Sequence, residues 1–270
     1  MQTDLSLISR ALSDALDLVG VTETGHGKRV AVMAMRCGET YGIGGRRAND
    51  LLNAALLHDC GVSSTRVHTN LVENLHWSGS DYHCLRGAGL LDMFAPFEHL
   101  APVLRHHHTL WRERSSQDVT DGDFELANCI FLADRVDALV GQMGGDVLVV
   151  RGAVRDAIVE LRDEFFQPAL VEAFLDASAC EAFWLTLAPE YLHGELDRHR
   201  SLGGPVTLGM RELKQLARLF ARIVDAKSRY TAEHSLGVAR LAAFVARLYE
   251  LPEPRCDLLE VAGLLHDVGK

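Results

Sequence analysis

The chain has 270 residues, of which 48% are hydrophobic, and it carries a formal net charge of −10. This length accommodates one large domain or two smaller ones. The acidic balance argues against a nucleic-acid surface, which needs clustered Lys and Arg. No apolar run reaches the roughly 18 residues of a membrane span, and the N-terminal stretch lacks a leader pattern. We therefore expect a cytoplasmic protein without a membrane or nucleic-acid partner.

Helical periodicity dominates the chain. It is clear in "ISRALSDALDLV" (8–19), "RELKQLARLFARIVDA" (211–226) and "VARLAAFVARLYE" (238–250). In the third segment the spacing predicts one buried stripe, formed by Val238, Leu241, Ala242, Val245 and Leu248. Only "DVLVV" at 146–150 is strand-like. The sequence predicts an all-α fold.

The turn "SLGGPV" at 201–206 is the strongest candidate for a domain boundary, because Gly-Gly-Pro ends a helix. Residues 150–200 read as a helical support layer without chemistry. The six cysteines form no C-x-x-C pair, which favours small buried or semi-buried thiols over disulfides or a zinc knuckle.

An internal repeat is the main feature of the sequence. An offset of 208 residues (234 − 26) superimposes "ALLHDCG" on "GLLHDVG". It also superimposes His26 on His234, and the interval from this lone His to His-Asp is 32 residues in both copies (58 − 26 and 266 − 234). Each copy is predicted to be a two-helix unit with a His near its start and His-Asp near its end.

The residue types in this unit predict a metal site. Imidazole and carboxylate together suit Mn, Fe, Ni or Zn. Adjacent residues on a regular helix point about 100° apart, so His58 and Asp59 converge most easily at a helix end. We expect Gly61, two residues later, to supply that end.

Further candidate ligands follow the first copy: His83, three consecutive histidines at 106–108, and Asp134 after the apolar run "CIFLA". A histidine triplet suits a core only if it is satisfied by metal or hydrogen bonds, and an unpaired buried carboxylate is costly. Asp137 is expected to hydrogen-bond or cap rather than to ligate.

These motifs resemble those of the HD superfamily of metal-dependent phosphohydrolases, and more closely its HD-GYP branch, which hydrolyses cyclic di-GMP. "GHGKRVAVMA", "ALLHDCG", "HCLRGAGLL", "RHHHTLW" and "LADRVDAL" occur in the branch's order over residues 22–140. The resemblance implies a di-metal centre whose bridging ligand is Asp59. The ligands it implies are His26, His58, Asp59, His83, His107, His108 and Asp134.

The first copy departs from the branch pattern at three places. The glutamate after the His pair is Thr109, the lysine after His-Asp-x-Gly is Val62, and the Gly-Tyr-Pro signature is absent. The glutamate that accompanies a third metal in some members is Thr22, so the resemblance implies two ions. The first copy is thus interpreted as a divergent HD domain over residues 1–145, followed by a support region and linker over 146–203.

The second copy matches the opening of an HD-GYP domain and retains the lysine as Lys270. Its candidate ligands are His234, His266 and Asp267, which form only part of such a site. We expect residues 204–270 to be the N-terminal part of a second, truncated HD-GYP domain in a longer tandem protein.

The resemblance implies hydrolysis of a phosphodiester such as cyclic di-GMP, with His58 and Asp59 at the catalytic centre. Two divalent ions, Fe or Mn ahead of Ni, Zn or Mg, would activate a hydroxide. Arg105, Arg112 and Lys28 are candidate phosphate contacts. The alternative is a catalytically weak regulatory or dimerisation module in bacterial signalling, with a homodimer or a signalling protein as partner.

Overall fold

A computed structural model of the chain describes residues 1–19, 24–62, 80–199, 203–225 and 233–268. These residues confirm the all-α fold class. Thr22 and Lys270 lie outside the described residues. The α-helices are α1 (Leu5–Val19), α2 (His26–Tyr41), α3 (Gly45–Leu57), α4 (Ser80–Leu91), α5 (Ala101–His106), α6 (Asp121–Met143), α7 (Val147–Glu160), α8 (Pro168–Ala177), α9 (Glu181–Leu185), α10 (Pro189–Arg198), α11 (Met210–Asp225), α12 (His234–Leu248) and α13 (Glu253–Leu265). Within the described ranges, no helix combines the length and the apolar character needed to cross a membrane.

Short elements connect these helices. Two 3₁₀ helices occupy Ala95–Leu100 and Trp111–Ser116. Strands β1 (Gln2–Asp4) and β2 (Pro205–Thr207) pair antiparallel. The ladder joins the N-terminus to a strand that begins at the proline of Gly-Gly-Pro, so the predicted boundary lies beside the start of the chain.

The strand-like run at 146–150 is helical: Asp146 is the N-cap of α7, and Val147 begins the helix. The Asp146 side chain accepts a hydrogen bond from the N–H of Leu148 (2.9 Å) and caps the helix. Val150, Val154 and Ile158 then share one face that packs on the core. The helical spacing of the apolar residues outweighs the β-propensity of the short valine run.

One large core joins the first copy of the repeat to the helices between the copies. Helix α2 is nearly buried and packs against α3, α6, α8 and α10. The core includes Phe131, Phe166 and Trp184, and the Trp184 indole N–H donates to the carbonyl of Ser178 (2.9 Å). Helices α7 to α10 therefore support the first copy, and the predicted domain limits stay a prediction.

Helix α11 contributes to two cores. Leu216, Leu219 and Ile223 join the large core, whereas Ala217 and Ala221 join a small one. The partners in the small core are Ala239, Val261 and Leu264, from α12 and α13. Helix α11 thus packs on the large core with one face and on α12 and α13 with another.

Helix α12 forms as predicted, but the prediction of which face of the helix is buried is wrong. Ala239, Ala243 and Ala246 are the buried positions, and Leu241 and Leu248 are exposed. A Cβ placed on Gly263 would lie 2.6 Å from the Ala239 Cα. Because α12 and α13 meet this closely, small residues form their contact and the large ones point outward.

Candidate metal centre

Two helix ends place the first pair of histidines. His26 begins α2 after Gly25, which is left-handed at φ +78° and donates its N–H to Asp17 (2.9 Å). His58 follows the last residue of α3, and its Nδ1 lies 2.8 Å from the carbonyl oxygen of Ala55. A carbonyl only accepts, so Nδ1 of His58 donates and Nε2 is left for the site. The Nε2 atoms of the two histidines lie 3.3 Å apart.

Gly61 has a different role from the one expected. Helix α3 ends at Leu57, and Gly61 is not among the left-handed residues. A Cβ on Gly61 would lie 2.0 Å from the carbonyl oxygen of His83 and 2.5 Å from the N of Gly87. The glycine therefore permits the turn after His-Asp to pack directly on the backbone of α4.

The remaining predicted ligands arrive from three later elements. His83 lies on α4, His107 and His108 follow α5, and Asp134 lies in the middle of α6. The Nε2 atoms of His83 and His107 are 3.2 Å apart, and Nδ1 of His107 donates to the carbonyl of Leu104 (2.6 Å). His108 Nε2 lies 4.0 Å from Asp134. All seven predicted ligands of the first copy are buried.

Asp59 lies between two sets of histidines. Its Oδ2 is 3.6 Å from Nε2 of His26 and 3.6 Å from Nε2 of His58. Its Oδ1 faces the other way, 3.5 Å from Nε2 of His83. Asp134 Oδ1 lies beside the first set, 3.2 Å from His26 Nε2. Each oxygen of Asp59 can therefore serve a different centre.

His106 stays out of this cluster. Its Nδ1 lies 3.3 Å from the hydroxyl of Thr109. The structure thus places the second and third histidines of the triplet in the cluster and the first outside it, and their role as ligands stays a prediction. Thr109, which stands where the resembling branch has a glutamate, acts here as a hydrogen-bond partner of the unused histidine.

The donor set fits divalent metal. His26 Nδ1 is 2.8 Å from Asp137 and His58 Nδ1 donates to Ala55. In their neutral forms both rings therefore point an Nε2 lone pair at the other across 3.3 Å. Such an arrangement needs a proton or a metal ion between the lone pairs. Imidazole nitrogens beside carboxylates are the donors of borderline divalent metals.

The charges of the site reinforce this fit. Burial lowers the pKa of His26, but the hydrogen bonds to Asp134 and Asp137 outweigh it and raise that pKa to about 10. Burial, followed by the neighbouring His83, lowers the pKa of His107 to about 3. Burial alone would raise the pKa of Asp59, yet the surrounding histidines lower it to about 2. The cluster without metal thus pairs ionised carboxylates with a protonated His26, whose proton a metal ion would replace, and with a neutral His107 that keeps a lone pair.

Asp137 and Arg29 form a support for His26. The Arg29 guanidinium donates to both Asp137 oxygens (2.7 and 2.9 Å), and Asp137 accepts from His26 Nδ1. The expectation that Asp137 hydrogen-bonds rather than ligates agrees with this geometry. The sequence analysis did not identify Arg29 as part of the site. The available signal was its position one helical turn after His26.

Arg135 is a second residue that the sequence did not reveal. It is buried beside the site, and its Nη2 donates to Asp134 Oδ2 (2.8 Å). This pairing leaves Oδ1 of Asp134 facing His26 and His58. The available signal was the arginine that directly follows the candidate ligand Asp134 in "LADRVDAL".

The candidate phosphate contacts have different surroundings. The Lys28 ammonium lies between Asp14 (2.6 Å) and Asp17 (2.8 Å), so two carboxylates already neutralise it. Arg112 pairs with Glu164. Arg105 is exposed directly before the histidine triplet. Substrate contact by these residues stays a prediction, and Arg105 has the most suitable placement.

The cysteines are free thiols within the described residues, five buried and Cys180 exposed. Cys84 lies close to the site, with Sγ 3.7 Å from His83 Nε2, and could form a metal group with His83 and His107. Burial raises the pKa of the Cys84 thiol well above its usual value, so it favours the protonated form.

The second copy assembles the same three side chains. His234 and His266 have Nε2 atoms 3.1 Å apart, and Asp267 lies 3.5 Å from His234 and 3.1 Å from His266. Unlike the first cluster, these residues are partly exposed. The predicted grouping therefore forms, as an open arrangement of three donors.

A family profile described as the HD domain matches residues 24–139 and 231–270. The two matched ranges contain the two His-Asp clusters and together cover more than half of the chain. The chain belongs to the HD-domain family.

Particular relatives come from Vibrio cholerae serotype O1. The chain is 33% identical to its 3′3′-cGAMP-specific phosphodiesterase 1 over 267 residues, which is 96% of this chain and 62% of that protein. It is 27% identical to 3′3′-cGAMP-specific phosphodiesterase 3 over 72% of this chain and 43% of that protein. The chain thus spans less than two thirds of the length of these relatives.

A solved structure shares the fold. It is a crystal structure of a cyclic GMP-AMP-specific phosphodiesterase of V. cholerae, with a TM-score of 0.73 and 23% identity. The similarity covers 100% of this chain and 71% of that one. At this identity the comparison establishes the arrangement of helices alone.

Proposed function

We propose that the chain is a metal-dependent phosphodiesterase that hydrolyses a cyclic dinucleotide at the cluster around Asp59. One observation carries the proposal: five buried histidines and two carboxylates converge, and the two oxygens of Asp59 face different histidines (3.6 and 3.5 Å). A cluster of this composition inside a helical core is costly unless it binds a cation.

The metal would be held by the predicted ligands, with Asp59 between two ions. The histidines are His26, His58, His83, His107 and His108, and the second carboxylate is Asp134. When bound, a pair of divalent ions supplies a nucleophile at neutral pH and neutralises charge on the phosphoryl oxygens. The protein's own part is to fix the rings: Leu104 and Ala55 accept from His107 and His58. Fe or Mn suits this donor set.

The substrate class follows from the relatives and the motifs together. Both V. cholerae relatives are named for 3′3′-cGAMP, whereas the motif resemblance points to cyclic di-GMP. Both are cyclic dinucleotides with two phosphodiester bonds. We place 3′3′-cGAMP first because the relatives align beyond the motifs, over most of the chain.

A second candidate function is a regulatory module with weak or no catalysis. One observation favours it: Val62, at the position of the lysine in the resembling branch, is buried in the first copy and offers no charge to a phosphate. In that case the first copy would bind metal as a rigid scaffold, and the chain would act through a homodimer or a signalling partner.

The test combines metal content with hydrolysis. Purified parent protein should contain bound Fe or Mn and cleave 3′3′-cGAMP, cyclic di-GMP, or both. Asp59→Ala should lose metal and activity, whereas Asp92→Ala, at an exposed position on the surface, should keep both. Metal without turnover of either dinucleotide would favour the regulatory module. Turnover that persists in Asp59→Ala would refute the proposed site.

A further inference from the structure

A cavity beside the second copy is lined by several arginines, although the chain is acidic. It has a volume of about 340 Å³ and lies between α11, α12 and α13, with Met93, which follows α4, on one side. This volume is within the range of small-molecule sites. Its lining residues include Arg218, Arg222 and Arg240.

The positive charge of this cavity is only partly compensated. Glu260 is the acidic residue in the lining, and its carboxylate already accepts from Arg218 (2.8 Å) and Lys214 (2.7 Å). Within the described part of the chain, Arg222 and Arg240 make no hydrogen bond or ion pair. Arg218 and Arg222 are also four residues apart on one helix, a spacing at which like charges destabilise the helix.

The first copy shows that helix packing does not require these arginines. At the offset of 208 residues, Arg222 corresponds to Asp14 and Arg240 to Val32. In the first copy, Asp14 pairs with Lys28, and Val32 is buried. The second copy therefore replaces an ion pair and an apolar contact with uncompensated guanidinium groups around a cavity.

We propose that this cavity binds a phosphomonoester group. A dianion would be held by charge-assisted hydrogen bonds from Arg222 and Arg240, with Arg218 on the same side. Leu236, Leu264 and Met93 form an apolar part of the lining that suits a base or sugar. Because Met93 belongs to the predicted first domain and the other lining residues to the second copy, an occupied cavity would connect these two parts of the chain. This site is separate from the Asp59 cluster.

The test measures binding of inorganic phosphate and of 5′-GMP to the whole chain by calorimetry, at ionic strength matched with chloride. We expect saturable binding by the parent, and binding about tenfold weaker or more in the double variant Arg222→Gln/Arg240→Gln. Arg255→Gln is the matched control, since Arg255 is an exposed arginine of α13 outside the cavity. It should change the affinity by less than about twofold.

Two further measurements locate the binding and identify its source. Asp59→Ala should keep the part of phosphate binding that depends on Arg222 and Arg240, because the cavity does not depend on the metal cluster. Tighter binding of 5′-GMP would identify a nucleotide, and equal binding would identify free phosphate. Equal affinity in the parent and the double variant would overturn the proposal. So would the absence of saturable binding below about 10 mM, or its loss in Asp59→Ala alone.

Discussion

The helices α1–α2–α3 and α11–α12–α13 are two copies of one unit in different surroundings. The structure extends the repeat to the first helix of each copy: Ile8 and Leu216 correspond at the same offset, and both are buried. The faces between the helices are equivalent, with Ala31 and Ala239 at 0% and 2% exposure. The contact within the unit is therefore a property of the repeated sequence.

The outer faces of the two copies differ. Met33 is 1% exposed in the first copy, and its counterpart Leu241 is 63% exposed. Leu51 and its counterpart Leu259 are 0% and 40% exposed. Helices α6 and α8 pack on α2 in the first copy. The three helices of one copy thus bring the two histidines and the aspartate together, and the later helices bury these side chains in the first copy alone.

The largest expected difference concerns metal retention. His58→Ala should lose the bound metal and reduce any phosphodiesterase activity by more than about a hundredfold, since even outer-shell partners of a metal typically contribute 10–100-fold. His266→Ala removes the equivalent ring of the open cluster and should leave the metal of the first copy in place. Elemental analysis after dialysis measures both. Equal losses would show that the two clusters are not independent.

The second prediction concerns stability. Met33→Ala should lower the free energy of unfolding by about 2–5 kcal/mol, because it leaves a cavity in the large core. Leu241→Ala should change it by less than about 0.5 kcal/mol, because its side chain is largely in solvent. Chemical denaturation of both variants gives the two values. A similar cost at both positions would contradict the difference in surroundings.

The third prediction concerns the support of His26. Asp137→Asn keeps the shape of the side chain but removes the charge that holds Arg29 and His26. We expect metal affinity to fall about tenfold, with little change in the helical circular dichroism. The control is Arg36→Gln, because Arg36 lies on α2 with His26 and Arg29 but pairs with Glu195. An unchanged metal affinity in Asp137→Asn would contradict the role of Asp137 in positioning His26.

The smallest effect is expected at Glu260. Burial would raise the pKa of this carboxyl, but hydrogen bonds from Lys214 and Arg218 lower it below its usual 4.5. The contribution of ionised Glu260 to the free energy of unfolding is thus fully present above about pH 4.5 and is lost as the pH falls through the lowered pKa. Glu260→Gln should cost less than about 1 kcal/mol at pH 7 and nothing in acid. A difference that persists in acid would contradict the ionic origin.

Some elements were predictable because their signal is local. Helical periodicity predicted the all-α class, and the seven candidate ligands of the first HD domain lie in sequence motifs that the structure brings together. Arg29 and Arg135 were missed because a side chain that only orients a candidate ligand produces no recognisable motif or residue spacing in the sequence. The strand-like run at 146–150 forms a helix because the Asp146 side chain caps it and the core packs on its apolar face.

The sequence by itself determined the repeat, the helices and the residue types that converge at Asp59. Only the tertiary structure decided which face of each helix is buried, as on α12, where Ala239, Ala243 and Ala246 replace the expected large residues. The physical reason is that burial depends on what packs against a helix. Two copies with the same period therefore bury different faces when α6 and α8 cover only one of them.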